Sequence, residues 1–288
     1  MLARALKMAF WVSFDHLGKL VLANFLTMLA AFAPLSAVFA LGRSLDGPVF
    51  LALLAGAALA GMLAAAAGLA GMTAMLRVLI ETRDGSMALF FGGLRRHGLQ
   101  SALLALAALF AAACLAASAW YYTARFGAAH PVLGYGLGAL ALWGGALLGL
   151  VLLALMPALV FCGAGMAAAV RLAALLVLDN PLFYAGVAAH ALLIAVVALL
   201  APPVLMLFSL APLAALTASA YEMLSRKYAR ARGGGEKIDF DDGNGARILD
   251  PNEEYTVEYS STGAKVIEIE VWLTGDLILS CFSTFTVS

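Results

Sequence analysis

"RVLIETRDGSMALFFGGLRRHGLQ" (residues 77–100) is the most charged stretch in the otherwise apolar first 230 residues of the chain. It holds four arginines and two acidic residues, and a long Ala- and Leu-rich run stands on each side of it. An α-helix needs about 20 apolar residues to cross the hydrocarbon core of a bilayer. Both flanking runs reach that length, so the stretch is predicted to connect two membrane spans.

The whole chain has the composition of a membrane protein. Of its 288 residues, 64% are hydrophobic and 12% are charged, and the mean hydropathy is +0.98. Soluble domains average about 25% charged residues. We therefore predict an all-α polytopic membrane bundle of about six transmembrane helices with interfacial amphipathic helices. The predicted spans are 20–42, 48–76, 99–123, 132–158, 181–201 and 203–224, with Pro202-Pro203 as the turn between the last two.

Basic residues are concentrated on one side of the predicted bundle. Twelve lysines and arginines fall in the segments on that side, and Arg43 and Arg125 fall on the other. Loops that stay in the cytoplasm carry the excess of Lys and Arg. The sequence thus predicts a multi-pass membrane protein with both termini in the cytoplasm.

The opening stretch itself contains an amphipathic pattern. Apolar residues recur at helical spacing from Ser86 onward, and two arginines follow at the end. We interpret the pattern as an interfacial helix with its aromatic side toward the membrane and its arginines toward headgroups. This interfacial anchor consists of Met87, Phe90, Phe91, Leu94, Arg95 and Arg96. Similar segments, 2–14 and 165–180, precede the first and the third predicted hairpin, which indicates a threefold topological repeat. The alternative is that basic, amphipathic loops are simply common in membrane proteins.

Three segments resemble the YesL-like family of bacterial integral membrane proteins of unknown function. They are "MTAMLRVLIETRDGSMALFFGGLRRHGLQSALL" (71–103), "VLDNPLFYAG" (177–186) and "LAPLAALTASAYEMLSRKYAR" (210–230). The likeness covers roughly residues 5–231 and leaves the C-terminal tail unmatched. Members of that family often accompany carbohydrate-uptake ABC systems, so the resemblance implies an accessory role in sugar uptake.

Polar side chains within the spans are the candidate functional residues. Ionisable or polar groups at bilayer depth are costly and often functional. The possible intramembrane polar site consists of His190, Asn24, Thr27, Ser209 and Thr217. These residues either line a path for a transported molecule or bond neighbouring helices structurally. Glycine and alanine in 56–71 and 134–149 are expected to pack helices closely, within the bundle or against another membrane protein.

Motifs of catalysis and of metal or cofactor binding are missing from the sequence. It has no H-E-x-x-H, no G-x-S-x-G and no P-loop. The acidic segment "DFDDGNGARILD" (239–250) has glycine where an EF-hand needs its third oxygen ligand. We expect no enzyme activity, no cofactor, no metal and no nucleic-acid partner.

The C-terminal tail differs from the rest of the chain. Residues 1–235 carry 14 basic and 6 acidic residues, whereas residues 236–288 carry 3 and 11. Residues 1–232 are interpreted as the transmembrane domain, 233–253 as an acidic and Gly-rich linker, and 254–288 as a small cytoplasmic β-strand tail. Period-two alternation in 255–260, 265–273 and 276–287 predicts a three-stranded antiparallel meander. Its origin stays open between a native appendage, a fusion and a vector-derived sequence.

These observations favour an integral membrane protein with an accessory or interaction function, associated with carbohydrate uptake. The alternative is a small-molecule transporter or permease subunit that uses a path between the helices. The expected partners are the lipid bilayer and either other membrane proteins, such as a carbohydrate ABC transporter, or further copies of the chain.

Overall fold

A computed structural model describes residues 1–42, 47–82, 85–163, 165–201 and 206–231, together with four short segments near the C-terminus. Up to residue 231 the described chain is almost entirely helical. We number the helices in chain order: α1 (Leu2–Asp15), α2 (Leu17–Leu41), α3 (Gly47–Thr82), α4 (Met87–Trp120), α5 (Gly127–Ala129), α6 (Pro131–Cys162), α7 (Met166–Asp179), α8 (Pro181–Leu200) and α9 (Leu210–Ala231). A π-helical segment (Tyr121–Phe126) joins α4 to α5.

Six helical stretches are long and apolar enough to cross a membrane, which confirms the predicted class of protein. They are Leu17–Leu41, Gly47–Ile80, Met87–Ala129, Pro131–Cys162, Pro181–Leu200 and Met206–Tyr228. The third has 43 residues and is therefore about 65 Å long. Because the hydrocarbon core is only about 30 Å thick, this stretch is about twice as long as a perpendicular crossing of the core requires.

The separate interfacial helix predicted over residues 86–97 is wrong in one respect. Helix α4 runs without a break from Met87 to Trp120, so the anchor residues form the first turns of a spanning helix. Gly92 and Gly93 each disfavour a helix by about 1 kcal/mol. Packing outweighs this cost, since a Cβ on Gly93 would collide with the Ala74 side chain on α3. The other two segments of the proposed repeat, α1 and α7, are separate helices.

The connection between α4 and α6 also differs from the sequence prediction. The span was expected to end at 123, but helical structure continues through the π-helical segment and α5 to Ala129. Pro131 then begins α6 at a position where proline loses no helical hydrogen bond. A Cβ on Gly134 would collide with the backbone of Gly127, so glycine allows this hairpin to close tightly.

The buried core is concentrated in one half of the bundle. In α6, every residue from Ala154 to Cys162 is buried. In α3 the largest fully buried side chains lie between Met72 and Leu79, and in α9 they end at Leu224. The main hydrophobic cluster joins these three helices to α2, α7 and the start of α4.

One end of the bundle carries most of the predicted basic segments, and we call it the basic end. There the Lys19 ammonium donates to the carbonyl of Gly85, which ties α2 to the α3–α4 connection. Lys227 on α9 donates to Asn180 Oδ1 at 2.7 Å, which ties α9 to the α7–α8 junction. Arg77 Nη1 lies 3.5 Å from the carbonyl oxygen of Val160, near the end of α6. The basic segments that sequence analysis placed on one side therefore do meet at one end.

The C-terminal segments do not support the predicted meander. The structure has four strands, β1 (Glu236–Asp239), β2 (Arg247–Leu249), β3 (Gly263–Leu273) and β4 (Asp276–Val287). They pair in the order β2-β1-β3-β4, antiparallel throughout, which is not the order of a meander. The first strand of the prediction, residues 255–260, lies outside the described residues.

Candidate functional site

Asn24 is the most firmly held of the predicted polar residues. It lies on α2 with no exposed surface. Its Oδ1 accepts hydrogen bonds from the backbone N–H groups of Leu210 at 2.7 Å and Ala211 at 3.1 Å. Its Nδ2 donates to the carbonyl oxygen of Met206 at 2.7 Å. The first N–H groups of a helix have no partner within that helix, so Asn24 caps α9 from a different helix.

The neighbouring predicted residue, Thr27, fills a close approach between α2 and α3. Its Oγ1 donates to the carbonyl oxygen of Ala23 at 2.8 Å, within its own helix. A Cβ on Gly68 of α3 would collide with the Thr27 side chain. Thr27 therefore acts as a packing residue, with its hydroxyl satisfied locally.

Thr217 and His190 also bond within their own helices. Thr217 Oγ1 donates to the carbonyl oxygens of Leu213 at 3.0 Å and Ala214 at 3.1 Å. His190 Nδ1 lies 2.8 Å from the carbonyl oxygen of Gly186, and its side chain is half-buried on α8. The structure thus does not join these two side chains to Asn24 in one hydrogen-bonded site.

Four of the five predicted polar residues expose almost no surface within the described structure, and the fifth, His190, is half-buried. Asn24 and Thr27 are 0% and 3% exposed, and Thr217 and Ser209 are 6% and 9% exposed. A side chain that lined an internal aqueous cavity would expose surface to a water-sized probe, even deep inside the protein. These four contact protein atoms instead, and Ser209 lies directly between the two segments that Asn24 bonds.

The six anchor residues divide between the protein interior and the surface. Phe90 is buried against α3, and its ring stacks edge-on with that of Phe91 at a centroid distance of 5.2 Å. Phe91 is 47% exposed, and Arg95 and Arg96 are exposed one turn further on. Met87 and Leu94 are half-buried. The predicted apolar stripe is therefore divided between two surfaces of α4. Phe90 packs against Gly71 of α3, whereas Phe91 faces outward.

A pocket of about 520 Å³ opens at the basic end, and sequence analysis did not find it. Helix α1 forms one wall with Arg4, Lys7 and Trp11, and Arg226 on α9 contributes a third cation. Leu79 and Ile80 of α3 supply apolar wall surface. In the sequence, Arg4 and Lys7 lie one turn apart on an amphipathic helix, which indicates a cationic face. The sequence does not indicate that Arg226 of α9 lies beside that face.

A second polar cluster clamps the α7–α8 junction to the end of α9. Asn180 Nδ2 donates to the hydroxyl of Tyr228, which in turn donates to Asp179 Oδ2. Lys227 donates to Asn180 Oδ1 and lies 5.1 Å from the centroid of the Tyr228 ring. Sequence analysis identified Asp179-Asn180-Pro181 as a break between helices but assigned it no partner.

The small-residue segment 134–149 is used in two ways. Gly134 and Gly138 pack against the π-helical segment, where added Cβ atoms would collide with Gly127 and with Thr123. A Cβ on Gly145 or Gly149 would meet nothing within 4 Å. The first pair packs helices within the bundle, and the second pair lies open on the outer surface.

Comparison with known proteins identifies no relative. No family model matches the chain, and no curated protein and no solved structure is similar to it. Within the part of the chain that the structure describes, no three His, Cys, Asp or Glu side chains cluster in a way that could hold a metal ion. Most of the acidic segment 239–250 lies outside the described residues.

Proposed function

We propose that the chain is an accessory or interaction protein of the bacterial inner membrane, with both termini in the cytoplasm. One observation carries the proposal: four of the five predicted polar side chains are buried against protein, and the most deeply buried of them, Asn24, holds another helix in place. All three described hydrogen bonds of the Asn24 side chain join it to backbone groups around the start of α9. A side chain used in this way stabilises a fixed arrangement of helices.

The open surface of α6 supplies a face for a membrane partner. Gly145 and Gly149 are spaced i, i+4, and the space above both is free of other described atoms. Small residues at this spacing let a second helix approach closely within a membrane. The YesL-like resemblance implies that the partner belongs to a carbohydrate ABC transporter, and we adopt that partner as part of the proposal. The role requires no catalytic centre and no cofactor.

Two measurements test the proposal. The full chain is purified from native membranes after crosslinking, and the proteins captured with it are identified; subunits of a carbohydrate transporter are expected. Replacement of Gly145 and Gly149 by Leu should remove that capture, while Gly92→Leu, at another site where a Cβ meets nothing within 4 Å, should preserve it. Capture that is equal for both variants contradicts the α6 face.

The rival function, a transporter in its own right, makes the opposite prediction. Proteoliposomes that contain only this protein should show no sugar flux above that of empty liposomes if the proposal holds. Flux that disappears in Asn24→Leu but survives in Ser36→Ala would instead favour a path between the helices.

A further inference from the structure

The pocket at the basic end combines unpaired cations with an apolar wall. Arg4 and Lys7 are exposed on α1, and within the described side chains neither has an ion-pair partner. Arg226 completes the set from α9, where its Nε lies 2.7 Å from Glu222 Oε1. Asp15 is the one carboxylate among the lining residues that the structure describes. Among the described lining residues and their ion-pair partners, three cations thus face two carboxylates, one of which is bound to Arg226, so this part of the pocket has an excess of positive charge and suits an anion.

The size of the pocket indicates more than a single inorganic ion. Its volume is about 520 Å³, within the range of about 300–1,000 Å³ that is typical of small-molecule sites. A phosphate group contacting Arg4 and Lys7 would leave room beside Leu79 and Ile80 for carbon atoms attached to it. The ligand that matches both parts is an anionic phosphate ester with an apolar extension.

Helix α1 places this pocket at the level of lipid headgroups. Phe10 and Phe14 are each 61% exposed and stack on each other at a centroid distance of 6.0 Å. Trp11, 50% exposed, lies between them in sequence and also lines the pocket. Tryptophan is enriched at the membrane–water interface, where its amphipathic ring lies at the level of the headgroups. Because Trp11 belongs to both surfaces, the pocket opens where headgroups lie.

We propose that this pocket binds the headgroup of an anionic phospholipid, with Arg4 and Lys7 contacting its phosphate and Arg226 completing the cationic side. Basic pockets between membrane helices bind anionic headgroups by this combination of charge and position. A headgroup held there contacts α1 and α9 together and closes the basic end of the bundle. This inference does not depend on the identity of any protein partner.

The test measures lipid binding by the full chain in a neutral detergent. Native mass spectrometry follows titration with phosphatidylglycerol or cardiolipin, with phosphatidylcholine and inorganic phosphate as comparison ligands. The wild type should retain the anionic lipids and bind phosphatidylcholine at least tenfold more weakly.

The double variant Arg4→Gln/Lys7→Gln should weaken anionic-lipid binding by about tenfold to thirtyfold, since each basic residue near an anionic headgroup contributes a few-fold. The matched control, Arg125→Gln/Arg171→Gln, removes two exposed charges outside the pocket and should change binding less than about twofold.

A second pair of variants should act in the opposite direction. Glu222→Gln releases Arg226 from its ion pair, and Asp15→Asn removes the carboxylate of the pocket. Each should strengthen anionic-lipid binding by about threefold to fivefold. These variants therefore test whether the charge of the pocket controls lipid binding even if the Arg4/Lys7 variant does not fold.

Three results would overturn the proposal. The first is equal weakening by the pocket and control pairs, which shows nonspecific charge attraction. The second is phosphatidylcholine binding as strong as that of the anionic lipids. The third is inorganic phosphate binding as strong as the lipid, which assigns the site to a soluble phosphate.

Discussion

Helix α6 has a first half with large exposed apolar side chains and a second half that ends in nine buried residues, although both halves are strongly apolar. From Ala154 to Cys162 all nine residues are buried. Before Ala154, Leu140 is 67% exposed, Trp143 is 69% exposed and Val132 is 87% exposed. Lipid tails are as apolar as leucine, so hydropathy does not distinguish a surface that meets lipid from one that meets protein. What distinguishes them here is the crowding of neighbouring helices around the second half.

The same contrast extends through the bundle. The buried half contains the cap by Asn24, the close approach of Thr27 to Gly68 and the clamp at Asn180. The open half presents single apolar side chains, such as Phe110, which is 71% exposed. We therefore expect substitutions to be costly in the first half and nearly neutral in the second, as measured by thermal unfolding in detergent.

The largest effect is expected for Asn24→Leu. The substitution leaves two N–H groups of α9 and one carbonyl oxygen buried without partners, and each such group costs about 1–3 kcal/mol. A loss of at least about 3 kcal/mol is expected. Ser36→Ala is the control, because Ser36 is exposed and bonds only to carbonyl oxygens of its own helix within the described structure. Equal losses for the two variants would show that the cap of α9 contributes nothing.

A matched pair of enlarged alanines compares the halves of α6 directly. Ala158 is 0% exposed and Ala146 is exposed. Ala158→Leu should destabilise by about 1–3 kcal/mol because a close-packed interior has no room for the added carbons. Ala146→Leu should change stability by less than about 0.5 kcal/mol, as is usual at the surface. A comparable loss for Ala146→Leu would mean that another protein covers the open half.

Two tyrosines should respond to loss of their hydroxyl with opposite signs. The Tyr228 hydroxyl bonds both Asp179 and Asn180, so Tyr228→Phe should cost about 1 kcal/mol. The Tyr184 hydroxyl is buried, and among the described residues it has no hydrogen-bond partner. Tyr184→Phe should leave stability unchanged or raise it by up to about 1 kcal/mol. Unfolding temperatures of both variants check this, and a clear loss for Tyr184→Phe would contradict the described environment of that hydroxyl.

The smallest effect is expected at the open glycines. Gly145→Ala and Gly149→Ala each introduce a Cβ into open space. Since alanine favours helix more than glycine, each should raise stability by about 0.5 kcal/mol or less. Gly134→Ala should destabilise instead, because its Cβ would collide with Gly127. Dissociation of an oligomer in the Gly145 or Gly149 variants, seen by size-exclusion chromatography with light scattering, would show that copies of the chain meet on this face.

Sequence reasoning succeeded where the physical cause is local. The apolar runs predicted six spans, and the structure has six helices in those places. The ends were predicted less well. The helix that contains the span predicted over 99–123 already begins at Met87, and Gly93 near its start packs closely on Ala74. The π-helical segment was not predicted, since no residue pattern distinguishes it from the α-helix before it.

The candidate site was predicted less completely than the fold. Asn24 was identified as polar and intramembrane, but its partners are 182 to 187 residues away in sequence. The pocket joins Arg4 to Arg226, a pairing that no local pattern contains. The residues proposed as one polar site take part in separate hydrogen bonds, because the hydroxyls of Thr27 and Thr217 and the imidazole of His190 each bond a carbonyl of their own helix.

By itself, the sequence determined that this chain has the composition of a membrane protein, which segments are long and apolar enough to cross a bilayer, and that its basic segments lie together at one end. Those properties follow from the free energy of moving apolar and charged groups between water and lipid. This free energy depends on the residues of each segment and not on its neighbours in the fold. Only the tertiary structure decided which face of each helix meets protein. Within the bilayer that choice depends on close contact and hydrogen bonding between distant segments, such as Asn24 with the start of α9, and not on hydrophobicity.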